Sequence, residues 1–148
     1  MYKCTKTYAT NEGLSCCFRQ WRATHSHCQY LHGYALSFKI VFGCSDLDER
    51  NWVQDYGGLK QVKSWLKDTF DHTLCVAADD PKLETFQKLA DEGLVQLRVL
   101  HSVGCEAMAK HVFDFVERWL KSEHPTGRVW VESVEVSEHN SNAASYHK

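Results

Sequence analysis

Nitrogen and sulfur side chains are concentrated in one short stretch of the sequence. His25, His27, Cys28 and His32 fall within eight residues, and an alternating apolar run over residues 34–42 follows directly. If the chain stays extended here, the side-chain period of two places Cys28 and His32 on one face of a strand. A thiol and an imidazole held on rigid backbone are the groups of a metal site or a proton-transfer site.

The three histidines predict a metal site. Imidazoles at a turn and on the strand that follows can converge on one cation, although their spacing matches neither a zinc finger nor an HExxH helix. A single histidine elsewhere in the chain is expected to be an ordinary structural residue. The seven cysteines include no CxxC pair, which argues against a four-cysteine zinc site, and we expect them to be thiols.

An acid–imidazole pair and a single glutamate are the other candidates for chemistry. Asp71 precedes His72 at the expected end of a helix, where a carboxylate can orient the imidazole as a general acid or base. The pair also suits a helix C-terminus, where the dipole favours histidine, so both interpretations stay open. Glu138 ends an apolar alternating segment and is either a rim charge or an acceptor for two parallel N–H donors of a ligand.

Length and composition indicate one globular domain over residues 1–148. Apolar residues make up 43% of the chain, and the net charge of -2 argues against general binding to nucleic acid or anionic membranes. No apolar run approaches the ~20 residues of a membrane span, and the first residues lack the apolar core of a signal peptide. We therefore expect a cytoplasmic protein.

Hydrophobic periodicity predicts an α+β fold. The predicted helices cover residues 59–70, 79–89 and 104–121, and the predicted strands cover residues 14–23, 34–42, 73–78, 94–100 and 128–138. The first two strands form a hairpin with its turn near residues 24–27. This order suggests an antiparallel sheet with helices packed on one face.

Five motifs, in this order along the chain, resemble the 6-pyruvoyltetrahydropterin synthase family. They are Cys28-x-x-x-His32-Gly-Tyr34, Trp52-Val-Gln-Asp55-Tyr-Gly-Gly, Phe70-Asp71-His72-Thr-Leu, Gly104-Cys-Glu106 and Val134-Glu-Val-Ser-Glu138. The first and third are the more specific, and the resemblance covers about residues 18–146. Within the family, the chain is more similar to the bacterial branch, the 6-carboxytetrahydropterin synthases of queuosine (7-deazaguanine) biosynthesis.

The resemblance implies a tunnelling fold, in which protomers join their sheets into a barrel as a trimer or hexamer with active sites between protomers. It implies a lyase that acts on 7,8-dihydroneopterin triphosphate. Cys28 then matches the general base that removes a side-chain proton, and Asp71 with His72 matches the dyad that completes proton transfer. Glu138 matches the carboxylate that holds the aminopyrimidine edge of the pterin, and Glu106 matches a further site glutamate.

The resemblance also implies a catalytic zinc ion, but this sequence departs from the family at the ligands. The family uses a histidine on the first strand and a His-x-His pair, of which only His32 is present. Tyr34 replaces the second member of the pair, and an ungapped match puts Arg22 at the first-strand position. We favour His25 and His27 as replacement ligands, because they lie where ligands were lost. Otherwise the site has no zinc, and Arg22 is the cation at the reacting end.

Two alternatives to a 6-carboxytetrahydropterin synthase stay open. A 6-pyruvoyltetrahydropterin synthase would differ in its product rather than in these motifs. A non-catalytic pterin- or purine-binding protein would have lost catalysis together with its zinc ligands. Stoichiometric zinc in the purified protein would favour an enzyme.

Overall fold

Two four-stranded sheets and three α-helices make up the computed structural model, which describes all residues 1–148. The strands are β1 (Tyr2–Tyr8), β2 (Ser15–Phe18), β3 (His32–Ala35), β4 (Ser37–Cys44), β5 (Thr73–Ala77), β6 (Gln96–Leu100), β7 (Val129–His139) and β8 (Asn142–His147). The helices are α1 (Lys60–Phe70), α2 (Leu83–Asp91) and α3 (Cys105–Glu123). None of them combines the length and the apolar character that crossing a membrane requires. The predicted α+β class is confirmed.

The first sheet is antiparallel, with the strand order β1-β4-β7-β8. Its strand β4 buries Phe38, Ile40 and Phe42, because alternate side chains of a strand point to the same face. A bulge in β7 takes Glu132 out of the pairing with β4. The bulge lets a charged residue interrupt the apolar alternation of β7, and the Glu132 carboxylate accepts a hydrogen bond from Lys3 at 2.7 Å.

Helix α3 packs against β7 and β8, and α1 packs against α3 and β5. The apolar stripe of α3 includes Met108, Val112 and Val116, which share one buried cluster with Val62 and Leu66 of α1. These residues recur at intervals of four, which places them on one side of each helix. The predicted ranges of both helices agree with the structure for this reason.

The second sheet is mixed, and the sequence did not predict it. Its order is β3-β2-β5-β6, with β2 antiparallel to β3 and parallel to β5, and β5 parallel to β6. Helix α2 connects β5 to β6 and packs through Phe86 on Leu74 and Val76. The predicted antiparallel sheet is therefore confirmed for the first sheet alone, since parallel neighbours require crossover connections such as α2.

The apolar run over residues 34–42, predicted as one arm of a hairpin, belongs to two strands in different sheets. Strand β3 pairs with β2, and β4 begins after Leu36, whose N–H donates to the Leu14 carbonyl at 3.0 Å. The apolar pattern continues across this junction because both sheets contribute to one buried cluster. Strands β1 and β8 were not predicted, because they are edge strands with mostly exposed side chains.

A buried ion pair joins the segment after β2 to the segment after β5. The Arg19 guanidinium donates to both carboxylate oxygens of Asp80, at 2.8 and 2.6 Å. The Asp80 side chain is only 1% exposed and also accepts a hydrogen bond from the backbone N–H of Lys82 at 2.8 Å. The hydrogen bonds from Arg19 lower the pKa of Asp80. Parallel strands β2 and β5 are thus held together beyond their short ladder.

We predict that Asp80→Ala lowers the free energy of unfolding by about 3 kcal/mol, because it leaves the Arg19 charge poorly paired. The Asp80 pKa is lower in the folded chain than in the unfolded chain, so the stabilisation is present above about pH 4 and is lost as the pH falls. Urea titrations between neutral and acidic pH should therefore show the two proteins converging in acid. Asp79→Ala, at an exposed ion pair with Arg22, is the control and should unfold like the wild type. A constant difference down to the acid limit would contradict this role of Asp80.

Candidate active site

Cys28 lies in a turn rather than on a strand. A 3-10 turn spans His27–Gln29, and the Cys28 N–H donates to Ser26 Oγ at 3.2 Å. The Cys28 carbonyl accepts a hydrogen bond from the backbone N–H of Gln20 at 2.8 Å. The prediction that Cys28 and His32 share a strand face is therefore wrong, because the chain closes this turn before β3 begins. The Cys28 side chain is exposed to solvent in this turn.

Gln20 connects this turn to the start of α3. Its side-chain amide donates to the Val103 carbonyl at 2.7 Å, while its backbone N–H holds Cys28 as described above. Gly104 has a φ of 102°, a conformation that favours glycine, and a Cβ there would overlap with Gln20 Nε2. Gly104 therefore allows Gln20 to lie against the first turn of α3.

Two glutamates meet at that helix start. Glu138 and Glu106 line a cavity of about 320 Å³ together with Cys105 and residues 141–144 of the β7–β8 hairpin. The pairing of β7 with β8 shifts register around Glu138, and such a bulge changes the direction of a side chain. Burial, and then the negative charges of Glu138 and Glu106, raise the pKa of the Cys105 thiol to about 12. Cys105 is therefore a neutral thiol beside the two predicted ligand-binding carboxylates.

Tyr34 lies on β3, two residues after His32, and its ring faces the end of β7 that carries Glu138. Its ring centroid is 6.1 Å from that of His139, the residue next to Glu138. Partial burial, followed by the charges of Glu138, Cys28 and Cys105, raises the pKa of the Tyr34 phenol. The Cys28 thiol and the Glu138 carboxylate, both predicted functional groups, therefore lie within electrostatic range of Tyr34.

Asp71 and His72 form the predicted pair. The imidazole N–H of His72 donates from Nδ1 to Asp71 Oδ1 at 2.6 Å, and the His72 side chain is 80% exposed. The backbone N–H of His72 donates to the Ser15 carbonyl at 2.7 Å, which fixes the pair to the start of β2. His72 has a φ of 55°, a strained conformation for a residue with a side chain.

The pair and the Cys28 turn lie at opposite ends of β2. His72 is bonded to Ser15, whereas Phe18 is opposite His32 and leads into the Cys28 turn. Three strand residues correspond to about 10 Å, to which the spacing between strands is added. One chain therefore does not bring its own Asp71–His72 pair against its own Cys28.

The three histidines do not converge on one point. No three His, Cys, Asp or Glu side chains in the chain are grouped as metal ligands. His25 is exposed, the ring of His27 faces Tyr30, and His32 donates from Nδ1 to the Tyr30 carbonyl at 2.7 Å. In this structure His25 and His27 are not grouped with His32 as the expected replacement ligands, because the turn directs them to different surroundings. The residues present do not fit a three-ligand zinc site.

Arg22 is not at the first-strand position. Strand β2 ends at Phe18, and the Arg22 guanidinium pairs with Asp79 at 3.0 Å on the surface while it stacks on Trp21 at 4.1 Å. The residue of β2 directly opposite His32 is Phe18, which is 1% exposed. The ungapped match is therefore wrong, because Phe18 and not Arg22 is the residue of β2 opposite His32. Arg22 does not supply a cation beside His32.

Three residues of this region were not among the predicted site residues. They are Gln20, which orders the Cys28 turn, Phe18, which lies opposite His32, and Cys105, which lies beside the two glutamates. For Cys105, its place next to Glu106 in the first turn of a helix was a usable signal. For Gln20 and Phe18, the sequence offered none, because the exact end of a short strand sets their roles.

A sequence profile of the family described as "6-pyruvoyl tetrahydropterin synthase" matches residues 7–148. The chain belongs to this family. Among curated relatives, the 6-carboxy-5,6,7,8-tetrahydropterin synthase of Aquifex aeolicus is 26% identical over 121 residues, which are 80% of this chain and 75% of that protein. The protein of the same name from Rickettsia felis is 31% identical over 84 residues, which are 56% of this chain and 57% of that protein.

Solved structures show the same fold. The 6-pyruvoyl tetrahydropterin synthase of Plasmodium vivax superposes with a TM-score of 0.65 at 14% identity, over 100% of this chain and 99% of that one. An uncharacterized protein of Wolinella succinogenes superposes with a TM-score of 0.81 at 19% identity, over 99% of this chain and 98% of that one. At these identities the likeness establishes the fold of the 6-pyruvoyl tetrahydropterin synthase family and leaves the roles of Cys28, His72 and Glu138 as predictions.

The solvent exposure of each cysteine predicts which thiol reacts first with a reagent. At about pH 8, a thiol reagent such as DTNB should modify Cys28 first, because the other six cysteines are buried or half-buried. Cys28→Ser should abolish the fast phase of the colorimetric trace, whereas Cys105→Ser should retain it, since the Cys105 thiol is protonated at this pH. A fast phase that survives in Cys28→Ser would show that the turn does not expose Cys28.

Proposed function

We propose that this chain is a 6-carboxytetrahydropterin synthase, a lyase that converts 7,8-dihydroneopterin triphosphate in the biosynthesis of queuosine and related 7-deazaguanines. The observation that carries the proposal is the Asp71–His72 pair, in which an exposed imidazole lies 2.6 Å from a half-buried carboxylate. Folding alone does not require an exposed imidazole aligned on a carboxylate in a strained backbone conformation. Membership of the family and the names of the curated relatives support the same reaction.

Glu138 and Glu106 bind the pterin in this proposal. A pterin presents two parallel N–H donors on its aminopyrimidine edge, and one carboxylate accepts both in a charge-assisted pair. The cavity that the two glutamates share has the volume for a two-ring ligand, at about 320 Å³. Cys105 remains neutral beside them, so it adds no third negative charge to the cavity.

Cys28 and His72 transfer protons in this proposal. The Cys28 thiolate takes a proton from a carbon of the substrate's side chain, and the His72 imidazole, oriented by Asp71, exchanges protons with the side-chain oxygens. The exposed turn lets Cys28 reach a bound ligand, and its backbone bonds to Gln20 and Ser26 limit its movement. No step is assigned to zinc, because the chain does not provide the ligand set.

The active site forms between protomers in this proposal. Asp71 and His72 lie at one end of β2 and Cys28 follows the other, so a second copy must supply the missing half of each site. Strands β1 and β8 are the two edges of the antiparallel sheet, and free edges invite pairing between chains. We therefore expect a homo-oligomer, a trimer or a hexamer, that joins its sheets into a barrel.

Turnover of 7,8-dihydroneopterin triphosphate tests the reaction. Cys28→Ala should reduce kcat at least about 100-fold, the effect of a lost general base, without a change in the melting temperature. Cys44→Ala is the matched control, because Cys44 is buried in β4 away from Cys28, and should retain wild-type kcat. Chromatographic identification of the product separates the 6-carboxy from the 6-pyruvoyl compound. A wild-type protein that binds a pterin without turnover would instead support the non-catalytic binding protein.

Complementation tests the shared site. Cys28→Ala and His72→Ala should each be inactive, and mixed oligomers made by coexpression should regain about a quarter of the wild-type activity. In randomly assembled oligomers, about a quarter of the interfaces pair a chain that has an intact Cys28 with a chain that has an intact His72. Coexpression of Cys28→Ala with Cys28→Ala carrying a different tag is the control and should stay inactive. Mixed oligomers without recovered activity would place both residues in one chain's site.

A further inference from the structure

Three aromatic side chains form a closed cluster where β2 meets β3. Phe18 is directly opposite His32, and Tyr34 is two residues further along β3 on the same face. The ring centroids are 5.2 Å apart for Phe18 and His32, 5.5 Å for His32 and Tyr34, and 6.2 Å for Phe18 and Tyr34. Each ring therefore contacts the other two.

This cluster does not have the chemistry of a metal site. A phenyl group provides no ligand atom, and zinc sites in proteins use three or four Cys, His, Asp or Glu ligands. His32 is the one imidazole of the cluster, and its Nδ1 already donates to the Tyr30 carbonyl at 2.7 Å. Only Nε2 of His32 is left as a ligand atom. The shape of the site is maintained by aromatic packing.

Besides the His32 imidazole, the Tyr34 hydroxyl is the polar group of the cluster. The charges of Glu138 and of Cys28 both act on this phenol. Its ring also contacts His139, which follows Glu138 on β7. A ligand that is held by Glu138 and gives a proton to Cys28 therefore lies near this phenol.

We infer that this site works without a metal, and that the Tyr34 hydroxyl donates a hydrogen bond to an oxygen of the ligand's side chain between Cys28 and Glu138. The inference rests on the proposed function for the identity of the ligand. A hydrogen bond to such an oxygen withdraws electron density from the attached carbon and so stabilises the negative charge left there when that carbon loses its proton. The Cys28 thiolate accepts the proton from carbon, and Tyr34 only donates the hydrogen bond.

The absence of a metal is tested by measuring the zinc content of the purified wild-type protein and of a designed variant. Wild-type protein prepared without chelators should hold far less than about one zinc per chain, and EDTA should leave its melting temperature and activity unchanged. The double variant Phe18→His with Tyr34→His places two more imidazoles beside His32 and should bind zinc stoichiometrically. Phe18→His alone is the control and should bind zinc weakly. A wild-type protein that holds stoichiometric zinc would overturn the metal-free site.

The phenol is tested with Tyr34→Phe, which keeps the ring packing and removes the hydroxyl. We expect kcat to fall about 100-fold with little change in melting temperature. Affinity for neopterin, which carries a hydroxylated side chain, should fall about tenfold, while affinity for 6-methylpterin should be unchanged. Wild-type kcat and neopterin affinity in Tyr34→Phe, or an equal loss for both pterins, would overturn the role of the phenol.

The proposed reaction and the metal-free site with its Tyr34 hydrogen bond can be contradicted independently of each other. If the wild-type protein does not convert 7,8-dihydroneopterin triphosphate, the proposed reaction is wrong. The zinc content and the comparison of neopterin with 6-methylpterin still decide whether the site is metal-free and whether the Tyr34 hydroxyl contacts the side chain of the ligand.

Discussion

Gln20 holds together the parts of the molecule on which the candidate site depends. Its backbone N–H fixes the Cys28 carbonyl at 2.8 Å, and its side-chain amide donates to the Val103 carbonyl at 2.7 Å. The turn that carries the thiol is thereby fixed to the first turn of α3, where Glu106 lies. This arrangement requires a residue without a side chain at Gly104, since any Cβ would occupy the space of the Gln20 amide. Two hydrogen bonds and one glycine thus set the distance between the thiol and the carboxylates.

Strand β2 has a comparable role for the rest of the site, although it contains only four residues. It pairs with β3 on one side and β5 on the other, so that the aromatic cluster and the Asp71–His72 pair are both positioned by its backbone. The ladder with β5 is short, and the Arg19–Asp80 ion pair extends it beyond the last strand residue. A short strand between two neighbours is rigid because its backbone groups are satisfied on both edges.

The sequence was most informative where one physical pattern determined the structure. Helices α1 and α3 were predictable from their apolar stripes, and the contact of Asp71 with His72 followed from adjacency in the sequence. Edge strands β1 and β8 gave no such pattern, because most of their side chains are exposed. The break at Leu36 was not visible either, since residues on both sides of it are apolar and enter the same core. Cys28 and Arg22 were misplaced because counting along a strand assumes that the strand continues, whereas β3 begins only at His32 and β2 ends at Phe18.

The bulge at Glu138 lets one side chain of β7 change direction without a change of register in the rest of the strand. In a regular strand, a change of direction at one side chain requires a shift of register that would also move Val134 and Val136 out of the core. Here the irregular pairing with β8 confines such a change to the hairpin end, where residues 141–144 border the cavity. Substitutions or length changes in this hairpin can thus alter the direction of the Glu138 carboxylate while the core keeps its packing. The hairpin and the cavity that it borders can therefore change in sequence at little cost in folding.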